Sequence, residues 1–375
     1  MRLSWPAVGR RTLATILLAG LTLALCAAVA LAGFDPPVGY PVGDQPESVA
    51  SADFNGDGKL DVVSADFNDD TVSVLLGNGN GNGTFNPRTP FPVGDMPRFV
   101  AVGNFDGNRR LDLAVADQGN DDVSILGGRG DGTFAPRKKF AVGTSPRAVA
   151  VGDFNRDGMS DLAVANGASK NVSILLGKGH DRFAKQLKFG VGNTPRSVTA
   201  GDFNGDHLRD LVFANEMDNA IAVLLGKGDG RFGHRRAHAV GSMPQSVAVG
   251  DFNGDGRKDI AAVNQGDADV SVLRGRGDGR FTARQDYPVG MNPNYVVARK
   301  LDAGKRLDLA VANSDDDTVS VLLGRSRGRF GPKTDYAAGG FPISLAVGNF
   351  DGAAGPDLAS AALDDDKVEI LLNQI

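Results

Sequence analysis

Seven aspartates, Asp61, Asp112, Asp161, Asp210, Asp259, Asp308 and Asp357, stand 51 and then five times 49 residues apart. Each closes a nine-residue acidic loop, written most fully at residues 53–61 as Asp-Phe-Asn-Gly-Asp-Gly-Lys-Leu-Asp. Ca2+ is a hard cation that takes roughly six to eight oxygen ligands, supplied at alternate loop positions, with a glycine where the chain turns sharply. Asp53, Asn55, Asp57 and Asp61, with the carbonyl of Lys59, form such a set. Asp153, Asn155, Asp157 and Asp161 repeat it with the Met159 carbonyl, and Asp251, Asn253, Asp255 and Asp259 with that of Arg257. Asp202, Asn204, Asp206 and Asp210, with Leu208, keep the oxygens but carry His207 at the turn, where strain is expected. Three carboxylates in nine residues repel one another unless a cation sits among them. The same residue types also favour bare Asx turns, but four full copies in register point to metal.

The remaining loops decay. Asn104, Asp106, Asn108 and Asp112 hold two carboxylates and no turn glycine, which leaves the second loop undecided. Lys300 and Gly304 replace two ligands in the sixth, and Ala353 replaces one in the seventh. The expectation is four structural Ca2+ sites and two empty loops.

A period this long marks one supersecondary unit copied along the chain. In residues 140–183 the segments 147–153 and 161–165 read as strands on either side of the acidic loop. A polar turn leads to a third strand at 172–176, and a Gly-rich turn to a fourth that ends at 189–192. Four short antiparallel strands per repeat make a propeller blade. The fourth-strand Phe recurs seven times, from Phe34 to Phe330, whereas the last repeat stops at its third strand near Leu372. Residues 34–43 must therefore complete the last blade, closing an all-β seven-bladed propeller over residues 33–375 and removing exposed sheet edges. An open solenoid leaves this split repeat without a use.

Residues 1–32 differ in kind. Arg2, Arg10 and Arg11 precede an uncharged run, 12–32, that ends Ala30-Leu31-Ala32. This reads as a secretory signal cleaved after Ala32; the alternative is an uncleaved anchor, because the run is long enough to span a bilayer. Cleavage would remove the single Cys and single Trp and take the formal charge from −5 to −8. The mature chain is then expected to be secreted, periplasmic or at the cell surface, without disulfides and without a membrane span. An acidic chain with no basic stripe argues against nucleic acid as partner.

The loop motif, together with Leu-Leu-Gly-x-Gly-x-Gly-x-Phe as around Leu225 and Phe232, resembles the FG-GAP/VCBS repeat family, whose best-known fold is the integrin α-subunit propeller. The resemblance covers about residues 34–375. It implies calcium between the first two strands of a blade and ligands on the opposite face. It does not carry integrin biology over, because the helical insertions are missing.

Other chemistry is thin. Arg129-Gly130-Asp131 and Arg276-Gly277-Asp278 are the generic turn before the blade Phe, and His238 falls in a recurring aromatic slot. There is no hydrolase elbow or zincin motif. The residue after each recurring Pro runs Glu47, Arg98, Arg147, Arg196, Gln245, Asn294, Ile343. Three arginines on successive blades form a basic arc within an acidic rim, suited to an anionic glycan or an acidic protein loop. Tyr40, Tyr287 and Tyr336 fall in the recurring fourth-strand aromatic slot, and Tyr295 is the exception. The reading is an exported binding, adhesion or scaffolding module; the alternative is a calcium-dependent, lyase-like enzyme acting on polysaccharide.

Overall fold

The computed structural model describes residues 33–79 and 82–374. The signal-like segment, 1–32, lies outside the described residues. The described chain forms seven four-stranded antiparallel sheets. The first blade comprises Pro46–Ala52, Asp61–Asp66, Thr71–Leu75 and Thr89–Pro92, paired in that order. The third comprises Pro146–Gly152, Asp161–Asn166, Asn171–Leu175 and Leu187–Gly190.

Burial explains the strand compositions. Every second strand is buried along its whole length, as in Asp161–Asn166, and these strands are apolar runs because both faces meet neighbouring blades. The first strands of adjacent blades pack side by side around the central channel. Fourth strands form the outer edge and are mostly exposed, which tolerates Pro90 and Pro92 there.

The ring closes as expected. Val38–Pro41 pairs with Lys367–Leu371 in the register Val38↔Ile370 to Pro41↔Lys367, and Phe34 bridges to Asn373.

The core lies between blades. Phe54 of the first acidic loop packs with Val63 and Val72 against Val100, Leu113 and Phe134 of the second blade. Phe54 meets Phe134 edge-on at 5.6 Å, and Phe154–Phe232, Phe203–Phe281 and Phe252–Phe330 repeat the contact from the third, fourth and fifth blades to the next. The turn Phe also meets the fourth-strand aromatic of the preceding blade, as in Phe91–Phe134. His238 takes that role against Phe281 at 5.2 Å, so its slot in the pattern is structural. Edge-to-face pairs are each worth about 0.5–1.5 kcal/mol beyond area burial.

Candidate functional site

The acidic loops occupy one end of the propeller, between first and second strands. In the first, Asp53 Oδ1 accepts the Gly56 N–H at 2.7 Å and Oδ2 that of Gly58 at 2.8 Å. Asn55 Oδ1 accepts the Asp57 N–H and Asp57 Oδ1 the Lys59 N–H, both at 2.9 Å. Loops 153–161, 202–210 and 251–259 repeat this net. His207 adopts φ 64° where Gly58 has φ 82°, the strain expected of a side chain at that turn. The closing Asp61 is buried and accepts N–H bonds from Phe54 and Gly77, each at 2.8 Å. Burial, added to by the charges of Asp57 and Asp53, pushes its pKa up to about 6. Asp161, Asp210 and Asp259 are raised to about 6 for the same reasons. An all-oxygen donor set of three carboxylates and an amide fits a hard divalent cation better than a soft metal.

The two Arg-Gly-Asp triplets lie at this same end, in turns between third and fourth strands. Gly130 and Gly277 take φ 78°, as turn residues do.

The opposite end carries the second candidate site. A cavity of about 400 Å³ opens at the mouth of the central channel. The structure brings Glu47, Arg98, Arg147, Arg196, Gln245, Asn294 and Tyr295 to its wall. All three sequence-predicted arginines are there, but they are not equivalent.

Arg98, Arg196, Gln245 and Asn294 each hydrogen-bond the residue that follows the second strand of their own blade. Arg98 Nε donates to Gln118 at 2.5 Å, Arg196 donates twice to Glu216 at 2.8 and 2.7 Å, and Asn294 donates to Ser314 at 2.5 Å. Arg98 also pairs with Glu47 and lies over the Phe67 ring, 4.5 Å from its centre. In the third blade the corresponding residue is Gly167. Arg147 lies against that glycine, where a Cβ would come within 3.2 Å of its Cγ, and it has no hydrogen bond or ion pair among the described residues. Its Nε is buried and unpartnered.

Burial, with the charges of Arg98 and Arg196, lowers the Arg147 pKa to about 10, so it stays charged at neutral pH. Burial acts to raise Glu216, but the Arg196 hydrogen bonds and charge outweigh it and hold Glu216 below the usual carboxylate range. Burial pushes Tyr295 up to about 12. The site therefore offers one free guanidinium between two neutralised ones, with polar side chains and a phenol across the channel. Glu216 is the residue that sequence reasoning missed; its signal was an acid where other blades carry Gln118, Gly167 or Gln265.

No helix among the described residues is long and apolar enough to cross a membrane.

A model of the FG-GAP-like repeat matches residues 53–115, 104–164, 153–213, 202–262 and 251–304. Comparison with curated protein sequences finds no match. Among solved structures, a streptogramin B lyase is similar with TM-score 0.64 at 14% identity, over 91% of this chain and 98% of that one. BBS1N, solved in complex with ARL6DN, has TM-score 0.64 at 16% identity, over 92% and 96%. An Agrocybe aegerita protein described as recognising non-reducing terminal N-acetylglucosamine has TM-score 0.54 at 18% identity, over 82% and 91%. At such identities the likeness is one of fold alone, and a fold of this kind hosts unrelated functions.

Proposed function

Because the chain belongs to the FG-GAP-like repeat family, we propose that it is an exported, calcium-stabilised propeller acting as a binding, adhesion or scaffolding module. It takes a carboxylate-bearing partner at the mouth of its channel. The reading rests on one observation: Arg147 is the single arginine of the ring left without a partner. A planar guanidinium with free donors recognises carboxylate bidentately. The wall has three arginines and Glu47, and Glu216 pairs with Arg196 from behind it, so one anionic charge balances the group. Residues 53–61, 153–161, 202–210 and 251–259 would hold the calcium, which stiffens the opposite end and takes no part in recognition. The basic, apolar start of the chain supports export.

A lyase-like reading finds a cation here to neutralise a substrate carboxylate, but no free base. Glu47 and Glu216 are both committed to arginines. A phenol held at about 12 is protonated at neutral pH and donates rather than abstracts a proton. Binding is therefore the better-supported function.

The test is an array of acidic glycans and acidic peptides, probed with and without calcium, followed by Arg147→Ala. Loss of a charge-assisted hydrogen bond costs about 1.5–3 kcal/mol, roughly 10- to 100-fold in Kd. Melting temperature and calcium content should not move. Full binding by Arg147→Ala would remove the channel mouth from consideration.

A further inference from the structure

The second acidic loop has only two carboxylates of its own, yet among the described residues it is where three acidic side chains converge. Asp106 and Asp112 of that loop and Asp181 of the third blade each bring a ligand atom within 4.8 Å of the other two. Asp181 belongs to the turn between third and fourth strands of the neighbouring blade, so no single repeat contains this set.

The exchange that admits Asp181 is visible at the blade interfaces. At four other interfaces a leucine of one blade lies over a glycine of the next. A Cβ on Gly132 would meet Leu76 at 2.7 Å, one on Gly230 would meet Leu176 at 2.8 Å, and one on Gly83 would meet Leu372 at 2.6 Å. Gly279 faces Leu225 in the same way, whereas at Gly328 the leucine position is taken by Arg274. Between the second and third blades the pair is reversed. The leucine position is Gly127 and the glycine position is Asp181, whose carboxylate fills the vacated space 2.7 Å from where a Cβ on Gly127 would stand. An apolar contact has been exchanged for a buried acid.

That acid is not satisfied by the protein. Asp181 is 7% exposed, and its Oδ1 is buried without a hydrogen-bond partner. Its Oδ2 accepts from Lys138 Nζ at 3.1 Å. Asp112 accepts the N–H groups of Phe105 at 2.6 Å and Gly128 at 2.8 Å, and Asp106 Oδ1 accepts that of Asn108 at 2.9 Å. Ionised carboxylate oxygens each have a further lone pair for a cation. Three carboxylates against one ammonium leave two negative charges, which a divalent ion balances. A buried, uncompensated carboxylate is otherwise costly.

We propose that Asp106, Asp112 and Asp181 form a calcium site that joins the second and third blades, with the ligand missing from the loop supplied by the neighbour. The site is independent of the four full loops. Its donors are all oxygen, which suits Ca2+ and not a thiolate- or imidazole-seeking metal.

The test compares the mature chain with the double variant Gly127→Leu, Asp181→Gly, which restores the leucine–glycine pair of four other interfaces and so should fold. Calcium per chain is counted by native mass spectrometry at saturating, roughly millimolar calcium. The parent should carry one ion more than the double variant, and Asp106→Asn should reproduce that loss. Equal ion counts in parent and double variant, zero included, overturn the proposal. Equal non-zero counts would leave the loop sites standing without it, whereas zero in both would remove both.

Discussion

Asp117 shows how one position in a repeat can be tuned by its neighbours. The last residue of the second strand is Asn166, Asn215, Asn264 and Asn313 in the third to sixth blades, but Asp66 and Asp117 in the first two. Asn166, Asn264 and Asn313 donate to a strand-three serine, as Asn264 does to Ser271 at 2.8 Å, while Asn215 donates to the Val191 carbonyl. Asp117 instead accepts from Ser124 at 2.5 Å, with one oxygen unpartnered and Arg137 3.6 Å away. Burial first, then the charge of Asp122, pushes its pKa up to about 8. The unfolded carboxyl titrates near about 3.9. The folded state thus holds the proton more tightly, and the stability this contributes is present below about pH 4 and lost as pH rises toward about 8. Asp117→Asn should flatten the stability–pH curve across that window and stabilise the protein by about 1–3 kcal/mol at its alkaline end. Urea unfolding near about pH 5 and about pH 8 measures this; an unchanged pH slope would count against the buried-acid argument. At this scale the sequence was only partly legible. The arginine ring could be read from spacing, but the isolation of Arg147 depends on the register Pro146↔Asn166, which sets it beside Gly167. Asp181 was hidden for a similar reason, because its partners lie in another repeat.

Strands and their order were legible because every blade writes the same pattern, and counting fourth-strand Phe residues located the seam. The structure adds what the repeat could not show. A register shift follows the proline of each first strand, as between Pro146 and Ala148, and it sets which side chains face the channel. The seam itself is testable. Val38–Pro41 covers Lys367–Leu371, and Phe34 meets Tyr336 edge-on at 5.2 Å. A chain beginning at residue 44 would leave the backbone groups of Lys367–Leu371 unpaired along an open edge. Compared with a chain beginning at residue 33, it should aggregate or melt well below the parent. Light scattering and thermal unfolding read both outcomes, and a monomer with the parent's melting point would show that the strand closes nothing.

For the whole molecule, the question is what holds a ring together when its core is divided among seven interfaces. Each hydrophobic cluster spans two neighbouring blades, so the loss of one contact passes round the ring. The acidic loops lie at these interfaces, since the Phe of each full loop packs on the next blade while Asp57, Asp157, Asp206 and Asp255 face solvent. Ion binding there would stiffen loop and interface together. A site about tenfold saturated contributes about 1.4 kcal/mol by mass action, so four contribute roughly 6 kcal/mol. That is comparable with the net stability of an ordinary domain. Chelation should then lower the melting temperature by roughly 10 °C or more. Asp157→Ala removes one position-5 ligand and should reproduce about a quarter of that loss. Differential scanning calorimetry in calcium and in chelator gives the shift, and elemental analysis counts the ions. Fewer than about two calcium ions per chain, or a melting temperature indifferent to chelator, would mean that the aspartates serve only as turn formers.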